Sequence, residues 1–283
     1  MSEPTSPLKL QFEVTEEGHT ALDLLSAHSG LSRQRIKDAM NKGAVWWARK
    51  NKTLRLRRAT QVLASGTRLQ LFYDANVLMR VPEPPLLVAD AGHYSVWFKP
   101  HGMLSQGSQW GDHCSVLRWA EVHLQPRRPV FLVHRLDADA AGLILIAHDA
   151  KSAARLSQLF QEHRIQKYYQ VQVNELLRLS DTVTTIDRAI DGKAAVTHIR
   201  VVGHNPADNS SQLDVCLETG RKHQIRRHLA DIGNPIIGDR LYGTASKQPL
   251  QLLAYRLAFR CPFTHNNVDY VVTNEQLLFS REP

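Results

Sequence analysis

Beyond residue 90 the apolar positions fall mostly into short alternating runs. The pattern predicts strands at Tyr94–Phe98, Val130–Val133, Tyr168–Val173, Thr197–Val202, Gln212–Glu218, Leu252–Ala258 and Tyr270–Thr273. One further run, Gly142–Ala147, is apolar throughout and reads as a strand buried on both faces. In the Tyr168–Val173 segment the alternation puts Tyr169, Val171 and Val173 on one face. Two stretches follow the helical period instead. Ala150–His163 would bury Ala153, Leu156, Leu159 and Phe160, and a second helix is expected over Arg221–Ile232. Many strands broken by a few helices predict an α+β domain built on a mainly antiparallel mixed sheet.

The first 80 residues are patterned differently. Residues 1–18 show no sustained period and are expected to be loosely structured. A helix begins at Thr20 and stops at Ser29-Gly30, and Ser32 is placed to cap a second helix, Arg33–Lys42, that ends at Gly43. Ile36, Ala39 and Met40 share its buried side, which leaves Arg33, Arg35 and Lys37 toward solvent. Strands follow at Ala44–Ala48 and Thr67–Tyr73, separated by a very basic stretch from Arg49 to Arg58. Residues 75–86 hold three prolines between Pro82 and Pro85, which favours an extended linker over a helix. The expected organisation is a small helix-helix-strand domain over 1–74, a linker over 75–86, and a larger domain over 87–283.

Charge sharpens this division. The 283-residue chain carries a net +8, and residues 1–80 contribute 13 Lys and Arg against 7 Asp and Glu. Between Arg33 and Arg68 there are eleven basic residues and one acid, Asp38. Such density is the footprint of phosphate contact, or else a solvated basic face. Three widely spaced cysteines, no apolar signal segment and no long apolar run lead to the expectation of a cytoplasmic protein with no disulfides and no membrane span. The strings HExxH, GxSxG and the P-loop are absent, as is the zinc deaminase pattern, so no metal site is expected.

Candidate chemistry centres on His134-Arg135-Leu136-Asp137, just before the apolar run. A lone aspartate at a strand mouth is either a local cap or a catalytic carboxylate. Its company decides how it reads. Lys167-Tyr168-Tyr169, then Thr219-Gly220-Arg221-Lys222-His223-Gln224-Ile225-Arg226, then Pro235-Ile236-Ile237-Gly238-Asp239 follow in order, and Lys99-Pro100-His101-Gly102 precedes them. Together these segments resemble the RluA family of RNA pseudouridine synthases, over roughly residues 88 to 275. The N-terminal pattern resembles the small RNA-binding domain named from ribosomal small-subunit protein four.

The resemblance implies an isomerase that converts uridine to pseudouridine in RNA without cofactor. It implies Asp137 as the essential carboxylate, acting as nucleophile or base, Arg226 as its bidentate cationic partner, and Tyr169 as a stacking wall for the uracil. Further RNA contacts are expected at Arg33, Arg35, Lys37, Lys42, Arg135, Arg221, Lys222 and Gln224. Ribosomal RNA is the first expected substrate and transfer RNA the second, and a monomer is expected. Where the family pattern has Thr-Ser before Gly142, this chain has Ala140-Ala141. The missing hydroxyls predict a looser loop, and together with the basic N-terminal cluster they keep open a second reading, an RNA-binding or chaperone-like protein of the same fold.

Overall fold

The computed structural model describes residues 6–49, 52–177, 183–244 and 246–279. The chain forms two compact units, one made of residues 1–82 and 106–123 and the other of 83–105 and 124–283. The segment 106–123, expected in the larger domain from sequence, is therefore part of the first unit.

That unit holds a four-stranded antiparallel sheet in the order β1-β4-β2-β3. Its elements are β1 (Leu8–Glu13), α1 (Ala21–Ser29), α2 (Arg33–Asn41), β2 (Val45–Arg49), β3 (Lys52–Arg55), β4 (Arg68–Tyr73), α3 (Ala75–Leu78) and α4 (Val116–His123). The capping read from sequence is present. Thr20 accepts from the Asp23 N–H, Ser32 accepts from the Arg35 N–H, and Gly30 ends α1 at φ 67°, in the left-handed region open to glycine. Leu25, Ile36, Met40, Val45, Leu69 and Leu71 form its core.

Two expectations fail here. Leu8, Leu10 and Phe12 do alternate, and they pack onto the core as strand β1 rather than as loose chain. The expected extended linker begins with a helical turn, because Asp74 accepts from the N–H groups of Asn76 and Val77 and Leu78 is buried. Only the proline-rich residues that follow escape regular structure.

The second unit is built on a ten-stranded mixed sheet. Its strands are β5 (Leu86–Asp90), β6 (Tyr94–Lys99), β7 (Phe131–Leu132), β8 (Ala141–Ala147), β9 (Ile165–Asn174), β10 (Thr184–Asp187), β11 (Val196–Asn205), β12 (Ser210–Leu217), β13 (Leu252–Arg260) and β14 (Asn267–Val271). The main path runs β10-β11-β12-β9-β13-β8-β6-β5, with β14 on β13 and β7 on β8. Among the described residues every pairing is antiparallel except β13 with β8. At that parallel contact Gly142 has φ +123°, and a Cβ there would lie 2.2 Å from the Ala254 carbonyl oxygen. Only glycine lets the two backbones meet. Helix α5 (Ala150–Gln161) buries Leu156 and Leu159 against the sheet. Helix α6 (Gln224–Asp231) starts three residues later than the periodicity predicted, after His223 at φ 55°. Among the described residues no helix is long and apolar enough to cross a membrane.

Candidate active site

Asp137 sits on the loop from β7 to β8, and buried and half-buried polar side chains hold that loop. The His134 imidazole accepts from the Leu145 N–H at 2.9 Å and stacks on Phe160 at 4.3 Å. Burial pushes its pKa down to about 3, so it stays neutral and serves as an acceptor. Ser105 donates to the Leu136 carbonyl at 2.7 Å and accepts from the Leu136 N–H at 3.0 Å. Lys99 is fully buried at the end of β6. Its ammonium donates to the carbonyls of Pro100, Met103, Ala138 and Ala140 at 2.5–3.2 Å. Burial pushes Lys99 down to about 7, against the opposing charges of Asp137 and Asp139. Ala140 and Ala141 are themselves buried. The loop expected to be slack is therefore braced from the opposite side, by the Lys99 turn and Ser105, neither of which sequence reading placed at the site.

Two side chains at the start of α6, Arg226 and His223, reach the Asp137 carboxylate. Arg226, in the first turn of α6, donates from one guanidinium nitrogen to Asp137 Oδ2 at 3.2 Å. Its other two nitrogens make the parallel pair of bonds, to Asp239, at 2.8 and 2.7 Å. The bidentate grip expected on Asp137 thus falls on Asp239, and Asp137 receives a single bond. The reason is burial. The side chains of Arg226 and Asp239 are 3% and 0% exposed, while that of Asp137 is 25% exposed. A fully desolvated pair needs its full set of hydrogen bonds, and both oxygens of Asp239 are used. Asp239 also accepts from the N–H groups of Leu241 and Tyr242. Burial raises the Asp239 pKa, but the guanidinium and those N–H groups outweigh it and hold it below the ordinary carboxylate value. Burial likewise opposes the charge on Arg226, and the two carboxylates more than restore it.

Tyr169 lies on β9, in register with Ala254 of β13 and Val215 of β12. It is buried, and desolvation followed by the nearby Asp137 charge pushes its hydroxyl well up, so it is a neutral phenol. Tyr169, Val171 and Val173 are all buried, in agreement with the alternation. His223 brings Nε2 to 3.7 Å from Asp137 Oδ1, and its Nδ1 is 2.9 Å from the Tyr242 hydroxyl. The Arg226 guanidinium lies over the Tyr242 ring at 5.3 Å.

The other expected RNA contacts divide. Arg135 and Lys222 are exposed, and Arg221 donates to the Ala194 carbonyl with its edge half-buried. Gln224 is corrected. It is 2% exposed, its carbonyl accepts from Thr219 and the Arg221 N–H, and its amide donates to Val196 and Thr197. Every bond it can make is internal, so it braces the turn before α6. In the first unit Arg33 pairs with Asp23 and Lys42 with Asp38, Arg35 is half-exposed, and Lys37 is exposed.

Sequence reading missed Asp239, Lys99, Ser105, His223 and Tyr242 as site residues. Asp239 and Lys99 stood inside quoted motifs. Their positions beside Gly238 and Pro100 were the available signal.

Comparison with known proteins points one way. Residues 93–231 match the family model described as RNA pseudouridylate synthase. An uncharacterized RNA pseudouridine synthase of Aquifex aeolicus is 30% identical over 295 residues, covering 89% of this chain and 89% of that protein. The tRNA pseudouridine synthase C of Pectobacterium carotovorum is 34% identical over 51% of this chain, and ribosomal large subunit pseudouridine synthase D of Zymomonas mobilis is 34% identical over 52%. The matched region spans only about half of those two relatives, 44% and 55% of their lengths. The human RNA pseudouridylate synthase domain containing 1 shares the fold, with a TM-score of 0.59 at 18% identity over 70% of this chain and 88% of that one.

Proposed function

The chain belongs to the RNA pseudouridylate synthase family, and on that premise we propose that it isomerises uridine to pseudouridine in structured RNA, with Asp137 as the essential carboxylate. The observation that carries this reading is the exposure gradient across Asp239, Arg226 and Asp137. Two buried members form a fixed, fully bonded base, and the third presents a partly open carboxylate held by a single N–H.

The reaction breaks the N-glycosidic bond, turns the uracil, and rejoins it to the ribose through carbon 5. The carbon 5 proton leaves and nitrogen 1 gains one, so atoms balance without a co-reactant. Asp137 acts at the ribose as nucleophile or base. Arg226 orients it while remaining fixed by Asp239, so the carboxylate can move onto substrate without dragging its partner. Tyr169 supplies an aromatic wall beside Asp137, worth roughly 1–3 kcal/mol of stacking. Arg135, Arg221 and Lys222 contact RNA phosphates in this reading. The bracing by Lys99 and Ser105 supports the enzyme over the non-catalytic reading, because it answers the missing hydroxyls, one of the two features, with the basic N-terminal cluster, on which that reading rested.

Ribosomal RNA is the substrate we favour, acted on by a cytoplasmic monomer without metal or organic cofactor. The small basic first unit supports it, and one of the half-length relatives carries a ribosomal name. Incubating ribosomal and transfer RNA transcripts with the protein and mapping pseudouridine tests both choices. The parent should modify a defined uridine. Asp137→Asn should bind equally while turnover falls by on the order of a thousandfold or more. Turnover within about tenfold of the parent would remove Asp137 from the chemistry.

A further inference from the structure

The C-terminal ends of α5 and β13 enclose a cleft of about 430 Å³ within the second unit. Arg155, Arg164, Arg260 and His265 line it, with Phe263 as a wall and Leu159 and Cys261 as an apolar floor. Its place in the sheet sets it apart from the candidate active site. Ala254 is in register with Tyr169, and Arg260 lies six residues further along the same strand. At roughly 3.3 Å per residue the two positions are about 20 Å apart.

The charges of the cleft are unbalanced. Arg164 pairs with Glu162 at 3.1 Å. Among the described residues, neither Arg155 nor Arg260 bonds a carboxylate; each is oriented by backbone instead. Arg260 donates from Nε to the His265 carbonyl at 3.0 Å, and Arg155 donates to the Pro262 carbonyl at 3.5 Å while lying 5.7 Å over the Phe263 ring. A guanidinium fixed through one nitrogen keeps its remaining N–H groups for a planar acceptor. Arginines scattered on a solvated face would diverge, and these converge on one concavity. An apolar floor beneath them lowers the local dielectric and concentrates the field.

We propose that this cleft is a phosphate-binding exosite that holds the backbone of the substrate RNA outside the modified loop. It rests on the proposed RNA-modifying function and adds a second contact point to it. The exosite would read no bases. It would fix where a long RNA lies on the unit while the target uridine enters beside Asp137.

The test uses the full chain with Arg155 and Arg260 both changed to Gln, both exposed residues whose replacement should leave the melting temperature unchanged. Binding is measured by fluorescence anisotropy against salt, on a long structured RNA and on a short stem-loop carrying only the target. On the long RNA the variant should bind on the order of tenfold more weakly at low salt, and its log–log salt slope should flatten by roughly 1.4–1.8. The short stem-loop should bind both proteins alike, and turnover at saturation should be unchanged. An unchanged slope on the long RNA, or equal losses on both RNAs, overturns the exosite. Binding is read apart from pseudouridine formation, so the two ideas separate. A parent that binds in this way but forms no pseudouridine keeps the exosite and loses the isomerase, and the converse pattern does the reverse.

Discussion

Asp137 in the second unit and Asp112 in the first are both aspartates held by arginines, yet their charges are counted oppositely. In the second unit one arginine, Arg226, serves two carboxylates. In the first, two arginines, Arg55 and Arg57, converge on Asp112. Arg55 also donates to the Gly43 and Ser108 carbonyls and lies over the Trp46 ring at 4.1 Å, and Arg57 donates to the Asn41 carbonyl. Asp112 is 12% exposed at its side chain and ties the segment 106–123 into the first unit. An excess of carboxylate over guanidinium leaves Asp137 with a single guanidinium bond and a partly open carboxylate. An excess of guanidinium, with spare N–H groups directed at backbone carbonyls, makes a structural clamp. The clamp also changes what the basic cluster means. Arg55 and Arg57 are engaged internally, so the solvated basic surface of the first unit is smaller than the run of basic residues suggests.

The comparison breaks most severely at Arg226. Arg226→Leu leaves two carboxylates facing each other, one wholly buried. It should lower stability by about 3–5 kcal/mol and reduce turnover heavily. Arg226→Lys should recover part of both, because one ammonium cannot fork onto Asp239 and still reach Asp137. Denaturant unfolding and single-turnover assays on the three proteins decide it. Equal turnover in all would make Arg226 purely structural.

Asp112→Asn should have a smaller and different effect. The Arg55–Arg57 clamp is partly solvated, so we expect a loss of roughly 1–3 kcal/mol and a lower melting temperature, with turnover at saturating RNA unchanged. A fall in turnover at a temperature where the variant is fully folded would show that the clamp acts on the chemistry.

The mildest test is acid. The folded Asp239 carboxyl has a pKa below its ordinary 3.8, so the unfolded chain takes up the proton first as pH falls. Its stabilising contribution is complete above the unfolded value and is lost as pH drops through the folded one. Asp239→Asn should therefore be less stable at neutral pH and should show a shallower decline of stability below about pH 4. Parallel curves for the two proteins would mean that Asp239 does not titrate with folding.

Most of the architecture was legible in the chain. Alternation located β6, β9, β11, β12 and β13 to within a few residues, the continuous apolar run located β8, and caps located α1 and α2. The misses share a cause. Strand β1 is short and only partly buried, β10 has four residues, and α4 lies where no extended apolar period stands out. Local pattern reports burial on one's own element, and these elements are short or only half-covered. The candidate site was legible in part. The ordered motifs singled out Asp137, Tyr169 and Arg226; the structure bonds Arg226 to Asp137 at 3.2 Å and sets Tyr169 where the Asp137 charge acts on it.

What the sequence determined by itself was the element types, the family, and the residue kinds at the site, because each is encoded by spacing within a short window. Only the tertiary structure decided the partners. Arg226 and Asp137 are 89 residues apart in the chain and meet only in the folded unit, whose parallel β8–β13 contact Gly142 permits. The transfer of the bidentate grip to Asp239, the bracing of the loop by Lys99, the use of Arg55 and Arg57 as a clamp, and the convergence of arginines at the far end of β13 all follow from burial in three dimensions. Desolvation decides which charges must be fully bonded and which can stay open, and no one-dimensional pattern carries that information.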